Sequence, residues 1–376
     1  MPIIHNDCRH YFTDRPCKPH KQRGRRCGDC SEYDKILQEI LIVKLDAIGD
    51  VLRATSLLRP LREKYPQARV TWLTRPNATD LLKHNSLVDE ILPFNHEALL
   101  VLQTKRFDVV INPDASETSC RLASLANGKE RVGYWIDEAG EFFCGNEAAE
   151  HWRYMGLDDD LKKANQRSYQ DLLLDICDLP HVPNPIIWTL SEDEKRLASE
   201  FAQQHNLVPG KTPILGLNTG AGSRWVWKKW TLEGFRALVK GTLSEQPDTR
   251  ILLYGGPEEV ERNTILKADF PDAVVDTGCD NSLRQFGALL SLCDVLVTGD
   301  TMGLHLACAL EKRIVALFGP TSLPEIEIYG RGAKIAPEMD CLGCYLSDCD
   351  VRPACMERIP VDTVLESVLR EFTELA

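Results

Sequence analysis

Lys44-Leu45-Asp46-Ala47-Ile48-Gly49-Asp50-Val51-Leu52-Arg53-Ala54-Thr55 follows a short apolar run, Ile40 to Val43, and leads into a stretch where Val51, Leu58, Leu61 and Tyr65 fall near helical spacing. The pattern predicts a buried strand, a tight turn and an amphipathic helix, the first unit of a Rossmann-type domain. The dinucleotide fingerprint G-x-G-x-x-G is missing. In its place Asp50 stands directly after the turn glycine Gly49, in the first turn of the helix. A carboxylate there is the wrong group for holding a phosphate and suits a proton acceptor. The plainer reading is a helix-capping Asp. What separates the two lies far downstream.

Working outward, apolar β-branched runs alternate with helical patterns. Strands are predicted at 40–44, 69–73, 90–92 and 108–112, then, after the proline-bearing break Leu179-Pro180-His181-Val182-Pro183-Asn184-Pro185, at 214–218, 251–254, 273–276, 295–298 and 314–318. Helices are predicted at 231–243, 257–267, 283–292 and 301–311. Such βαβ alternation gives parallel sheets covered on both faces, here twice, with ligands at the carboxyl ends of the strands. The expectation is an α/β chain of two doubly wound, Rossmann-like domains facing a cleft: residues 36–180 and 211–340 as the domains, 181–210 as linker, and cysteine-rich ends at 1–35 and 341–376.

Composition agrees with this frame. A chain of 376 residues with 43% hydrophobic and 27% charged side chains suits a globular protein of two domains. The net charge of −12 argues against nucleic acid as the main partner. No secretory h-region opens the chain and no apolar run is long enough to span a bilayer, so a cytoplasmic protein is expected. In that compartment its 14 cysteines would be reduced or metal-bound.

Three downstream stretches carry a phosphate-binding logic. In Leu217-Asn218-Thr219-Gly220-Ala221-Gly222-Ser223-Arg224 a strand ends in a loop of small residues, and the paired Lys228 and Lys229 follow before the next helix. Thr219, Gly220 and Ser223 can offer N–H and hydroxyl donors and a lysine a point charge, which is what a diphosphate needs; the bland alternative is a solvated loop. In Val297-Thr298-Gly299-Asp300-Thr301-Met302-Gly303-Leu304-His305-Leu306-Ala307 another strand runs into a helix whose free N–H groups and dipole make an anion site. His305 falls one turn in, where a lone histidine is more often structural than catalytic. Leu317-Phe318-Gly319-Pro320-Thr321-Ser322 ends a further strand in a tight turn.

Taken in order, these segments resemble glycosyltransferase family 9, the heptosyltransferases of lipopolysaccharide assembly. K-L-x-x-I-G-D-V-L-R-x-T looks like its N-terminal signature, G-A-G-S…K-K-W like its donor-phosphate loop, and D-T-M-G-L-H-L-A-C-A-L with L-F-G-P-T like its C-terminal signature. The likeness runs from about Ile40 to about Gly330. It implies a GT-B fold and inverting, metal-independent transfer of heptose or a similar sugar from ADP-heptose to a lipopolysaccharide core or other surface glycan. It implies Asp50 as general base, Lys228 on the donor phosphates, Asp300 on the sugar, and Thr301, Gly303 and the helix start as diphosphate cradle. His305 lies in that same segment, and Glu258, after Tyr254-Gly255-Gly256-Pro257, matches a ribose-binding carboxylate. Met302 departs from the glycine many members carry there.

Eight cysteines form two groups: Cys8, Cys17, Cys27 and Cys30, and Cys341, Cys344, Cys349 and Cys355. Each contains a C-x-x-C pair, so each is predicted to hold zinc, iron or an iron–sulfur cluster, against the alternative of free thiols in loops. A related branch of the family, which modifies autotransporter proteins, carries a cysteine-bound iron motif. The basic run Arg15, Lys18, Lys21, Arg23, Arg25 and Arg26 reads as a solvated surface or a contact for anionic lipid at the inner membrane. Two other readings stay open: a metal-binding interaction protein on an inactive GT-B scaffold, and a protein O-heptosyltransferase.

Overall fold

The computed structural model describes residues 3–222 and 226–375. Two six-stranded sheets build it. The first comprises β1 (Gln38–Val43), β2 (Ala68–Thr74), β3 (Glu90–Pro93), β4 (Phe107–Asn112), β5 (Gly128–Ile136) and β6 (Phe142–Cys144), in the order β3-β2-β1-β4-β5-β6. All neighbours are parallel except β5 and β6. The second comprises β7 (Ile214–Asn218), β8 (Arg250–Tyr254), β9 (Val274–Asp276), β10 (Val295–Gly299), β11 (Arg313–Leu317) and β12 (Gly332–Ile335), in the order β12-β11-β10-β7-β8-β9, all parallel.

These strands are apolar on both faces because helices cover both faces. Ile40 to Val43 and Val295 to Val297 are each at most 1% exposed. In each sheet the strand order reverses once, between β1 and β4 and between β7 and β10. A crevice opens at such a reversal, outside the carboxyl ends of the strands. The chain leaving β1 holds Asp50, the chain leaving β7 holds Gly220, and the chain leaving β10 holds Asp300 and Thr301. The two sheets present these ends to each other, which is the GT-B arrangement.

Along the chain, between the strands of the two sheets, comes the helix Glu192–Gln204, capped reciprocally by Ser191 and Glu194. Arg284 fastens it. Its guanidinium bonds Glu194 (Nε to Oε1, 2.6 Å) and the Thr189 carbonyl at 2.6 Å, and stacks on the Trp188 ring at 4.0 Å. The terminal helix Val361–Thr373 packs on the second sheet through Val364, Val368 and Phe372, each less than 9% exposed. Each such side chain contributes about 1.5–3 kcal/mol by leaving water.

The two cysteine groups lie at the two ends of the chain. Among the described residues, no three His, Cys, Asp or Glu side chains come together in a way that could hold a metal. Cys8, Cys17, Cys27, Cys30, Cys341, Cys344, Cys349 and Cys355 are all free thiols. Cys355 is a core residue, its sulfur lying 2.4 Å from where a Cβ on Gly319 would sit, and Cys341, Cys344 and Cys349 are near enough to act on its thiol. The N-terminal segment is ordered by polar contacts instead. Arg9 pairs with Asp34 at 2.8 Å and Asp89 at 2.5 Å, Arg69 donates to the carbonyls of Cys8 and Arg9, and Cys8 bridges to Lys35. Within the basic run, Arg23 and Arg25 pair with Glu32.

Candidate active site

The helix Ile48–Ala54 leaves β1 through an extended Ala47 and carries Asp50 in its first turn. The Asp50 carboxylate is 38% exposed and faces the cleft, with Arg53 Nη1 at 3.2 Å from Oδ1. Arg53 is itself held firmly. Its Nη2 donates to the Glu325 carbonyl at 2.8 Å and its guanidinium lies 4.0 Å above the Tyr169 ring. Lys44, at the end of β1, is buried and donates to the Asp46 carbonyl at 2.5 Å and to Asp114 Oδ2 at 3.2 Å.

Across the cleft, which encloses about 1070 Å³, stands the second cluster. Lys228 Nζ reaches Asp300 Oδ2 at 2.9 Å and the Asp300 carbonyl at 3.1 Å. Burial would raise the Asp300 carboxyl, but Lys228 and His305 outweigh it and hold the pKa below its ordinary value. Thr301 begins the helix Met302–Ala309 in extended conformation and makes no side-chain cap bond, so the first-turn N–H groups of the helix stay available to an anion. Its hydroxyl accepts from Asn218 Nδ2 at 2.8 Å instead. Gly303 lies so close to that amide that a Cβ would meet it at 2.8 Å, so the helix needs glycine here.

Gly220 lines the cleft against Glu259, a buried carboxylate that also accepts from the Gly256 N–H and pairs with Lys229 at 2.6 Å. Glu258 is exposed at the rim beside Gly222. Thr219 differs from the expectation. Its hydroxyl donates to Asn263 Oδ1 at 2.6 Å and its N–H to the Tyr254 carbonyl, so both donors are spent inside the domain. Ser223 lies outside the described residues. The structure thus brings Asp50, Gly220, Lys228, Glu258, Asp300, Thr301, Gly303 and His305 onto one cleft.

His305 is where the two walls touch. A Cβ on Gly49 would come within 3.2 Å of its ring, and its Nε2 is 3.8 Å from Asp300 Oδ1. Burial, reinforced by Arg53 and Lys228, pushes its pKa down to about 4 against the pull of Asp300 and Asp50. The unfolded imidazole titrates near 6.5, so the unfolded chain binds the proton first as pH falls. Stability from this group is full above about pH 6.5 and is lost on acidification toward pH 4, about 2 kcal/mol between pH 7 and 4.5. Urea unfolding of His305→Gln at the two pH values should show a correspondingly smaller loss than the parent; an unchanged loss removes His305 from the account.

Among the cleft residues with no assigned role in the sequence, four carry polar groups used below: Arg53, Lys162, Glu325 and Tyr345. Arg53 had a local signal, since Asp50 and Arg53 at i and i+3 share a helix face. The other three come from loops and a short helix with no motif.

Comparison with known proteins supports the reading. The profile of glycosyltransferase family 9 (heptosyltransferase) matches residues 100–344. Lipopolysaccharide heptosyltransferase 2 of Salmonella typhimurium is 28% identical over 316 residues, covering 76% of this chain and 83% of that one. A family 9 glycosyl transferase from Veillonella parvula superposes with a TM-score of 0.71 at 17% identity, over 90% of this chain and 98% of that chain. The E. coli ADP-heptose lipopolysaccharide heptosyltransferase II does so with a TM-score of 0.64 at 23% identity, over the same shares. The chain is a glycosyltransferase and belongs to glycosyltransferase family 9, the heptosyltransferase family.

Proposed function

We propose that this enzyme moves a heptose, or a similar sugar, from ADP-heptose to a hydroxyl of a lipopolysaccharide core or other surface glycan, inverting the anomeric centre. The observation that carries this is the division of the cleft: a lone carboxylate, Asp50, on one wall, and Lys228, Asp300 and an uncapped helix start on the other. The names of the relatives point to the same donor and acceptor.

The acceptor oxygen attacks the anomeric carbon as the bond to the diphosphate oxygen breaks, and its proton passes to Asp50. The sugar passes through an oxocarbenium-like state, as in glycoside hydrolysis. The proton moves late, once the new C–O bond has largely formed. ADP departs with the electron pair, its charge met by Lys228 and the N–H groups after Thr301. No helix among the described residues is long and apolar enough to cross a membrane; the proposed place of action is the cytoplasm, with the acceptor met at the inner membrane face.

The test is calorimetric titration with ADP and ADP-heptose, followed by mass and anomeric analysis of a core-oligosaccharide acceptor. Saturable ADP binding and gain of one inverted heptosyl residue are expected. Absence of ADP binding overturns the proposal.

A further inference from the structure

Glu325 sits in the loop after β11 and is held from both domains. Its carbonyl accepts from the Tyr169 N–H at 3.0 Å and from Arg53 Nη2 at 2.8 Å, both on the N-terminal side of the cleft. Its own N–H donates to Ser322 Oγ at 3.4 Å. The residue is 7% exposed, yet it forms part of the cleft wall. Its two carboxyl oxygens are not equally served. Oε2 accepts from the Tyr345 hydroxyl at 3.4 Å, whereas Oε1 is buried and has no hydrogen-bond partner among the described residues. A buried carboxyl oxygen short of a donor is costly, and native structures rarely leave one so without a use.

The neighbours of this carboxyl are suited to hydroxyl groups. Tyr345 is fixed by the Ser322 N–H at 3.1 Å, and Lys162 reaches over from the other domain to lie 3.4 Å from the Tyr345 ring centroid. Both line the cleft. The free carboxyl oxygen and the ammonium together offer what a polyhydroxylated ring needs, an acceptor for its O–H groups and a donor for its oxygens, while the phenol holds the carboxyl in place. The position matters as well. One guanidinium, Arg53, touches both Asp50 and the Glu325 backbone, so Glu325 stands at the end of the cleft where transfer would occur, whereas Glu258 and Gly222 mark another part of the wall.

We propose that Glu325, with Tyr345 and Lys162, forms a subsite for sugar hydroxyls, and that Glu325 is a specificity-determining residue. The hydroxyls can belong to the sugar being transferred or to the acceptor sugar. The assignment rests on the sugar-transfer reading above.

The experiment compares wild type, Glu325→Gln and Tyr345→Phe for ADP affinity, ADP-heptose affinity and acceptor KM. Glu325→Gln should keep the affinity for ADP while weakening sugar recognition about tenfold, the loss expected for one hydrogen bond to a charged group. Tyr345→Phe, which removes only a hydroxyl, should act in the same direction and less. A loss seen in ADP-heptose affinity assigns the hydroxyls to the donor; a loss confined to acceptor KM assigns them to the acceptor. If Glu325→Gln leaves both unchanged while the parent binds ADP and transfers sugar, the subsite is overturned and the transferase reading stands. A parent that transfers sugar from no ADP-sugar overturns both. A variant that loses ADP affinity along with sugar recognition marks Glu325 as merely structural and also overturns the subsite.

Discussion

Asp50→Asn is expected to lower kcat about a thousandfold while ADP affinity changes by no more than about twofold, as removal of the proposed general base, on the wall opposite the proposed diphosphate site, would require. Asparagine has nearly the size of aspartate, and its carbonyl oxygen can still accept from Arg53 Nη1, which sits 3.2 Å from Oδ1. Arg53 does not depend on Asp50 for its place, because the Glu325 carbonyl and the Tyr169 ring hold it independently. The substitution therefore leaves the wall intact and removes only the capacity to take a proton. Single-turnover measurements with saturating donor would separate the chemical step from release. Wild-type kcat in this variant would assign the base to another group.

Lys228→Ala is expected to weaken ADP and ADP-heptose binding about a hundredfold and to lower kcat as well, because the proposed role of the lysine is to meet charge that grows on the leaving diphosphate. It should also destabilise the protein. The Asp300 side chain is 14% exposed and its pKa is held down by Lys228; without that partner a largely buried carboxylate stands uncompensated. The two effects can be pulled apart. Lys228→Ala combined with Asp300→Asn should recover much of the thermal stability, since no buried charge is left unpaired, but none of the donor affinity. Calorimetry and a melting curve on the two variants give the answer. Donor affinity that returned with stability would mean that Lys228 serves the fold alone.

The strands that carry the motifs were legible because both their faces are buried, and continuous runs such as Ile40 to Val43 have no other reading. β5 escaped notice since it opens Gly128-Lys129-Glu130-Arg131 with exposed charges, and β12 since Gly332-Ala333-Lys334-Ile335 is short and begins with glycine. At the site, Asp50, Lys228 and Asp300 stood out because each belongs to a stretch that carries the chain from a strand into the next helix. Glu325, Tyr345 and Lys162 could not stand out. Each is ordinary in its own sequence neighbourhood, and only packing across the two domains brings them to one wall. Thr219 misled for the opposite reason: its hydroxyl lies in the right loop but turns inward to Asn263. The cysteine spacing is a local property, whereas the neighbourhood of Cys355, in the core beneath Gly319 with Cys341, Cys344 and Cys349 near it, is a property of the fold.

Gly49, finally, is a mechanical part. The two lobes meet where its bare Cα faces the edge of the His305 ring, with no methyl between them. Any side chain at that point would press on the imidazole, and the ring would have to give by a few tenths of an ångström. The fit of the two lobes beside Asp50 thus depends on an atom the chain leaves out.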